Sequence, residues 1–208
     1  MSKVAIQGNA SGTGTFTIAA PNSNTDRTLT LPDEAGTVLT SASDIPASSV
    51  TGLTQGITEA DQFYLTTNLT GNGDVIGNLD RIGLKGFSKI GTGMSKDANG
   101  IFTFPQTGLY MVFVSIHFNI DGADTVILQT QVTTNNSTYD VVTEALTEHK
   151  GTGDANGYAS SFYYVNVTDT SNVKVKFSTS SMSGNSRLNG DATKASTSFS
   201  FVRLGDAQ

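Results

Sequence analysis

The chain reads as all-β: a two-sheet sandwich or jelly roll, preceded by a small β-meander and a linker. Three observations predict this. After residue 84, β-branched and aromatic runs recur at short, regular spacing, each ended by a cluster of Gly, Asn or Asp. No segment sustains the 3.6-residue apolar period of a long helix. Charged residues make up only 14% of the sequence, and Gly, Thr and Ser fill much of the remainder, a composition suited to turns and strands.

Taken in order, the first part is poor in bulky apolar mass, since Phe16 is the only aromatic residue before Phe63. Such a segment builds little core of its own and folds against something else. Alternating runs at residues 15–19 and 27–31 bracket a turn cluster at 21–24, and residues 32–36 turn the chain into a third run at 37–40, a small meander. Thr58 followed by Asp61 has the look of a capping box, so one helical turn is expected at 58–65. The Gly- and Asn-rich stretch 68–74 is read as a turn and a boundary. These signals divide the chain into a docking segment and connector at 1–62, a linker at 63–83 and a head at 84–208.

Within the head, strands are expected at 86–90, 101–104, 109–118, 125–133, 139–146, 158–167, 172–178 and 197–204. The pivotal run is 109–118. Alternation puts Tyr110, Val112, Val114, Ile116 and Phe118 on one face and Leu109, Met111 and Phe113 on the other. Both faces are apolar apart from Ser115 and His117, so this strand needs cover on two sides, from a second sheet and from a helix or a neighbouring subunit. At about 3.4 Å per residue it spans roughly 34 Å, the height of a small sandwich.

Several classes of chemistry find no support. A net charge of −6 without a basic stripe argues against a nucleic-acid partner. Zero cysteines remove disulfides, thiolate metal sites and a Cys nucleophile. No apolar run approaches signal-peptide or membrane-span length, so membrane insertion is not expected, and the Asn-x-Ser/Thr triplets at Asn9, Asn68, Asn135, Asn136 and Asn166 read as chance. No P-loop or nucleophile elbow is present and the two histidines, His117 and His149, have no partner at metal-ligand spacing, so an enzyme is not expected. Asp121 with Asp124, and Asp154 with Asn156, could offer hard oxygens to Ca²⁺, but Asp-Gly and Asn-Gly are first of all turn chemistry, and no cofactor is expected.

Two resemblances narrow the reading. Gly100, Phe102, Pro105, Gly108 and Tyr110 match the G-x-F-x-x-P-x-x-G-x-Y core of the C1q/tumour-necrosis-factor-like domain, and residues 197–204 resemble that family's last strand. The resemblance covers about residues 84–205 and implies a jelly roll that assembles as a homotrimer. It departs at Val112, where the family usually has Phe, with Phe113 alongside. Residues 28–40 (TLTLPDEAGTVLT) and 44–54 (DIPASSVTGLT) are similar to segments of bacteriophage tail fibres and other virion appendages. Together these imply a virion structural protein, made in the host cytoplasm, that docks on other virion proteins through its N-terminal segment and carries a trimeric head for a host-surface carbohydrate or protein. Two alternatives stay open: a capsid decoration, head-fibre or tail-adaptor protein without a receptor, and a secreted C1q-like recognition ligand.

For the head, Tyr110, Val112, Val114, Phe113 and Phe118 are the expected core and trimer-contact positions. The long polar loops read at 148–158 and 180–191 are where a rigid β scaffold would carry binding residues. His149, Lys150, Tyr158 and Arg187 are the candidates there, Tyr158 as a stacking face and the other three as donors.

Overall fold

The computed structural model describes residues 56–75, 77–83 and 87–208, with scattered positions between 8 and 30. The meander strands expected at 15–19 and 27–31 rest in part, and the strand at 37–40 and the connector at 44–54 entirely, on residues outside those described. The chain divides into two compact units, Met1–Ile45 and Pro46–Gln208.

Among its described residues the second unit is built of strands alone, in two antiparallel sheets. In chain order they are β1 (Ala60–Leu65), β2 (Leu69–Thr70), β3 (Gly73–Asp74), β4 (Leu79–Arg81), β5 (Lys89–Ile90), β6 (Ser95–Lys96), β7 (Phe102–Thr103), β8 (Gly108–Ile120), β9 (Asp124–Thr133), β10 (Asp140–His149), β11 (Ala155–Val167), β12 (Lys174–Ser180), β13 (Arg187–Leu188) and β14 (Ser198–Gly205). Sheet 1 runs β11, β8, β14, β1, β4, with β13 continuing the β14 side of β8 and carrying β2, and β5 continuing the β4 side of β1. Sheet 2 runs β10, β9, β12, β7, β6, with β3 also on β12. Among the described residues no helix is long and apolar enough to cross a membrane.

The pivotal strand is longer than its apolar run. β8 pairs with β11 along all 13 of its residues, from Gly108 opposite Val167 to Ile120 opposite Ala155. Its even-numbered residues from Tyr110 to Ile120 are buried between the sheets. There they meet Phe63, Phe102, Phe177, Phe199 and Phe201, whose rings pack edge-on or tilted at centroid distances such as 5.0 Å for Phe63 with Phe102 and 4.4 Å for Phe177 with Phe199. Each such burial is worth about 1.5–3 kcal/mol, so this aromatic cluster is the main cement between the sheets. Gly108 opens the strand at φ 152°, where a Cβ would collide with the Arg203 guanidinium and the Gly205 carbonyl.

The segment before residue 84 departs from expectation. Residues 58–65 form no helical turn: Ala60–Leu65 is a strand inside sheet 1, between β14 and β4. Asp61, read as part of a helix cap, does cap a backbone amide, but one of another loop, and Glu59 beside it does the same. The Glu59 carboxylate accepts from the Thr92 and Gly93 amides at 3.1 and 2.9 Å, and Asp61 accepts from the Met94 amide at 2.8 Å and from Arg81 Nε at 2.9 Å. Phe63 and Leu65 then face the core. The stretch 68–74, expected as a boundary, crosses within the fold instead, since β2 belongs to sheet 1 and β3 to sheet 2. The jelly roll therefore takes in the residues expected as a linker at 63–83, and its sheets begin before residue 63 rather than at 84.

The outer face of sheet 2 carries a polar row that is satisfied internally, flanked on β10 by the exposed side chains of Val141 and Leu146. Gln129 donates to Glu144 at 2.8 Å, Gln131 donates to Ser178 at 2.6 Å, and Ser178 donates to Gln129 at 3.3 Å, a row spanning β10, β9 and β12. Lys176 pairs with Asp74 at 2.9 Å and lies over the Tyr139 ring.

Candidate functional site

The outer face of sheet 1 is of the opposite kind. Directly opposed residues of an antiparallel pair share a face, so the register defines it. Phe162 stands beside Phe113, Tyr164 beside Met111, and Ser200 and Val202 of β14 continue those two rows. Phe162 and Tyr164 pack edge to face at 5.5 Å yet remain 54% and 52% exposed. Farther along β8 the face becomes polar: Ser115 beside Ser160, His117 beside Tyr158, Asn119 beside Asn156, and Arg187 of β13 opposite Asn119. Tyr158 is 75% exposed. With Phe162 and Tyr164 it leaves roughly 300 Å² of aromatic surface in water, given the ~150–250 Å² each such side chain can bury. β11 is also an edge strand, with one side of a long ladder open, and open edges in natural proteins are covered.

At the polar end, the His117 and Tyr158 rings stack at 4.4 Å, 8° from parallel. The strand beneath is pinned, because the His117 amide donates to Thr197 Oγ1 at 3.2 Å and its carbonyl accepts from the Asn189 amide at 2.8 Å. Asn119 Nδ2 donates to Asn156 at 3.4 Å, while Asn119 Oδ1 and Arg187 Nε are buried with no partner among the described residues.

Beyond that end lie three loops, 121–123, 150–154 and 181–186. Asp121 accepts from the Asn185 side chain at 2.8 Å, and these Asn185 contacts hold its carboxyl below the usual carboxylate range. Asp124 is pushed up by burial, but hydrogen bonds from Ser186, Ser183 and Thr125 outweigh that and leave it lowered as well. His149 Nδ1 lies 2.9 Å from the Gly122 carbonyl, and because a carbonyl only accepts, Nδ1 carries the proton. Gly151 packs against the same ring, where a Cβ would come within 2.7 Å of Nε2. Asp124, Thr125, Glu148, His149, Lys150 and Ser181 line an open cleft of about 520 Å³. Lys150 and Glu148 sit 3.6 Å apart at its rim.

The four candidate binding residues thus fall into two pairs. His149 and Lys150 share the loop cleft, whereas Tyr158 and Arg187 sit on strands of the sheet 1 face, not on loops; β10 runs to His149 and β11 starts at Ala155, so the loops are shorter than their polar composition suggests. Of the expected contact positions, Tyr110, Val112, Val114 and Phe118 face the core, and Phe113 faces outward. Phe162 and Tyr164 were not among the candidates, although the alternation Tyr158, Ser160, Phe162, Tyr164 could have marked them. Asp121 and Asp124 use oxygens on loop donors, and among the described residues no group of three or more His, Asp or Glu is placed to hold a metal ion.

No protein-family model and no curated protein matches the chain. Its fold is shared with solved structures at low sequence identity. Eiger TNF from S. frugiperda superposes with a TM-score of 0.57 at 14% identity, covering 74% of this chain and 96% of that one. Murine APRIL at pH 5.0 gives 0.53 at 12% identity, covering 70% and 98%, and at pH 8.0 it gives 0.52 at 12% identity with the same coverage. The fold is therefore the TNF-like jelly roll that the spacing of Gly100, Phe102, Pro105, Gly108 and Tyr110 implies.

Proposed function

We propose that the chain is a non-enzymatic attachment protein. In this reading it is a homotrimer whose subunits meet through the outer face of sheet 1, mounted on a bacteriophage virion by its N-terminal segment and holding a host-surface polymer at the loop cleft. The observation that carries the reading is the exposed aromatic face formed by Phe113, Phe162 and Tyr164 beside the open edge of β11. A second copy is the occupant that covers a face and an edge together, and the resemblance to C1q/TNF-like domains supports three copies. The fibre-like segments at 28–40 and 44–54 support the virion setting. Tyr158 and Arg187 then belong to the subunit contact, and His149 and Lys150 to the cleft, whose three copies would bind a repetitive polymer with avidity.

Light scattering of the full chain should give three times the 21.7 kDa subunit mass. A stable monomer overturns the reading. The double change His149→Ala with Lys150→Ala should leave the trimer intact and reduce adsorption of virions to host cells. Unchanged adsorption by intact trimers favours a decoration or adaptor protein without a receptor. The shared fold favours one further alternative, a TNF-like ligand, for which virions would lack the chain altogether.

A further inference from the structure

On the reading that the loop cleft holds a host-surface polymer, we infer that this polymer is neutral and hydroxyl-bearing. One of its hydroxyls donates to His149 Nε2, through an opening that Gly151 leaves.

The register assembles the lining at the end of the β9 and β10 pair, where Glu148 stands opposite Thr125 and His149 opposite Asp124. The imidazole is anchored on one side. Its Nδ1 donates to the Gly122 carbonyl at 2.9 Å, so in the singly protonated ring Nε2 carries the lone pair. Among the described residues no group donates to that lone pair. A Cβ on Gly151 would lie 2.6 Å from Cε1 and 2.7 Å from Nε2, closer than atoms pack, so any side chain there would occupy the approach to Nε2. Gly153, in the same loop, has nothing within 4 Å of the same position. Neither glycine has the positive φ that would itself call for glycine. Gly151 therefore keeps an acceptor clear.

The rest of the lining sets the kind of ligand. Asp124 and Glu148 are carboxylates, and Asp121 and Asp154 add two more in the adjoining loops. Lys150, the cation of the lining, lies 3.6 Å from Glu148 and already serves as its counter-ion. What the lining lacks is donors rather than a further cation. A phosphate, sulfate or uronate polymer brings more acceptors and more negative charge, and is repelled. A sugar hydroxyl donates to the carboxylates and to Nε2, and pairs with the hydroxyls of Thr125 and Ser181 beside them.

The test is adsorption of the full chain to host cells at about pH 8, where imidazole ordinarily carries one proton, with the trimer mass of each variant checked by light scattering. Mild periodate, which cleaves vicinal hydroxyls on the cells, should abolish adsorption. Raising salt to about 0.5 M should change it by less than about twofold. Gly151→Ala should weaken it about tenfold or more, since one neutral hydrogen bond is worth about three- to tenfold and recurs in three linked sites. Gly153→Ala should change it by less than about twofold. Adding Gly151→Ala to His149→Ala should bring no further loss, because both changes remove one bond. Adsorption that resists periodate, falls steeply with salt, or responds alike to Gly151→Ala and Gly153→Ala overturns the inference while the cleft reading stands. Unchanged adsorption when His149 and Lys150 are both replaced by alanine removes that reading and the inference with it.

Discussion

The two outer faces of the sandwich obey the same strand alternation and end in opposite states. On sheet 2, Gln129, Gln131, Ser178 and Glu144 complete one another's hydrogen bonds, and Lys176 has Asp74. On sheet 1, Phe162 and Tyr164 stand half in water and Asn119 Oδ1 and Arg187 Nε lack partners among the described residues. The sheet 2 face closes its polar row on itself and exposes only the separate aliphatic side chains of Val141 and Leu146 on β10. An aromatic face with orphaned polar atoms at one end has the composition of an interface core with its polar flank. The difference is the reason for proposing that the second apolar face of β8 is half of a contact between copies.

The largest effect that sharpens this contrast lies on the inner side of sheet 1. Asp61, almost fully buried, holds Arg81 and the Met94 amide, so Asp61→Ala leaves the amide without its acceptor and the guanidinium with the Met94 carbonyl alone. A loss of about 2–3 kcal/mol is expected in urea unfolding, since Asp61 is buried while the Arg81 side chain is 36% exposed. Less than about 1 kcal/mol would mean that β1 is held by Phe63 and Leu65 alone.

Next comes the face itself. Phe162→Asp should abolish self-association, a cost of about 2 kcal/mol or more per contact, while the circular dichroism of the folded chain persists. Gln129→Ala, at a comparable position on sheet 2, should leave the mass unchanged and cost no more than about 1 kcal/mol in stability. If both variants dissociate the oligomer, or neither does, the two faces are not different in kind.

The smallest effect is at the loops. The carboxyls of Asp121 and Asp124 are lowered in the folded chain, so their contribution is complete above the ordinary carboxylate range, near pH 4, and is lost as pH falls through the lowered values. Amide exchange at Ser183 and Asn185, corrected for intrinsic rates, should lose protection on acidification below about pH 4, whereas the β8 amides keep theirs. Unaltered protection at Ser183 and Asn185 would show that Ser186 alone pins the loop.

Much of the fold was legible because the long strands carry their own signals. The β-branched and aromatic content of β8, β9, β11 and β14, and the turn clusters between them, mark strands whatever their partners. The short strands were not legible: β2, β3 and β13 contain two residues each and exist only because β8, β12 and one another present an edge to pair with. β1 was misread because an acidic residue three positions after Thr58 caps amides equally well in a helix or across 33 residues of chain, and local spacing cannot tell these apart. Of the site, the polar loops were visible from composition. The sheet 1 face was visible only in part, because which side of β11 looks outward depends on its register with β8.

The position of β14 has a consequence for how the protein is made. It lies between β8 and β1, with Phe199 and Phe201 in the middle of the core, yet it is synthesised after every strand it touches. Residues of the sixties pair with residues near 200, so the nascent chain carries β8 and β1 without the strand that joins them until translation is nearly done. Topology of this kind folds slowly and exposes sticky intermediates. During that interval the unfinished sheet is the part of the chain most open to sticking to other copies, and the proposed contact would form only after the sheet has closed.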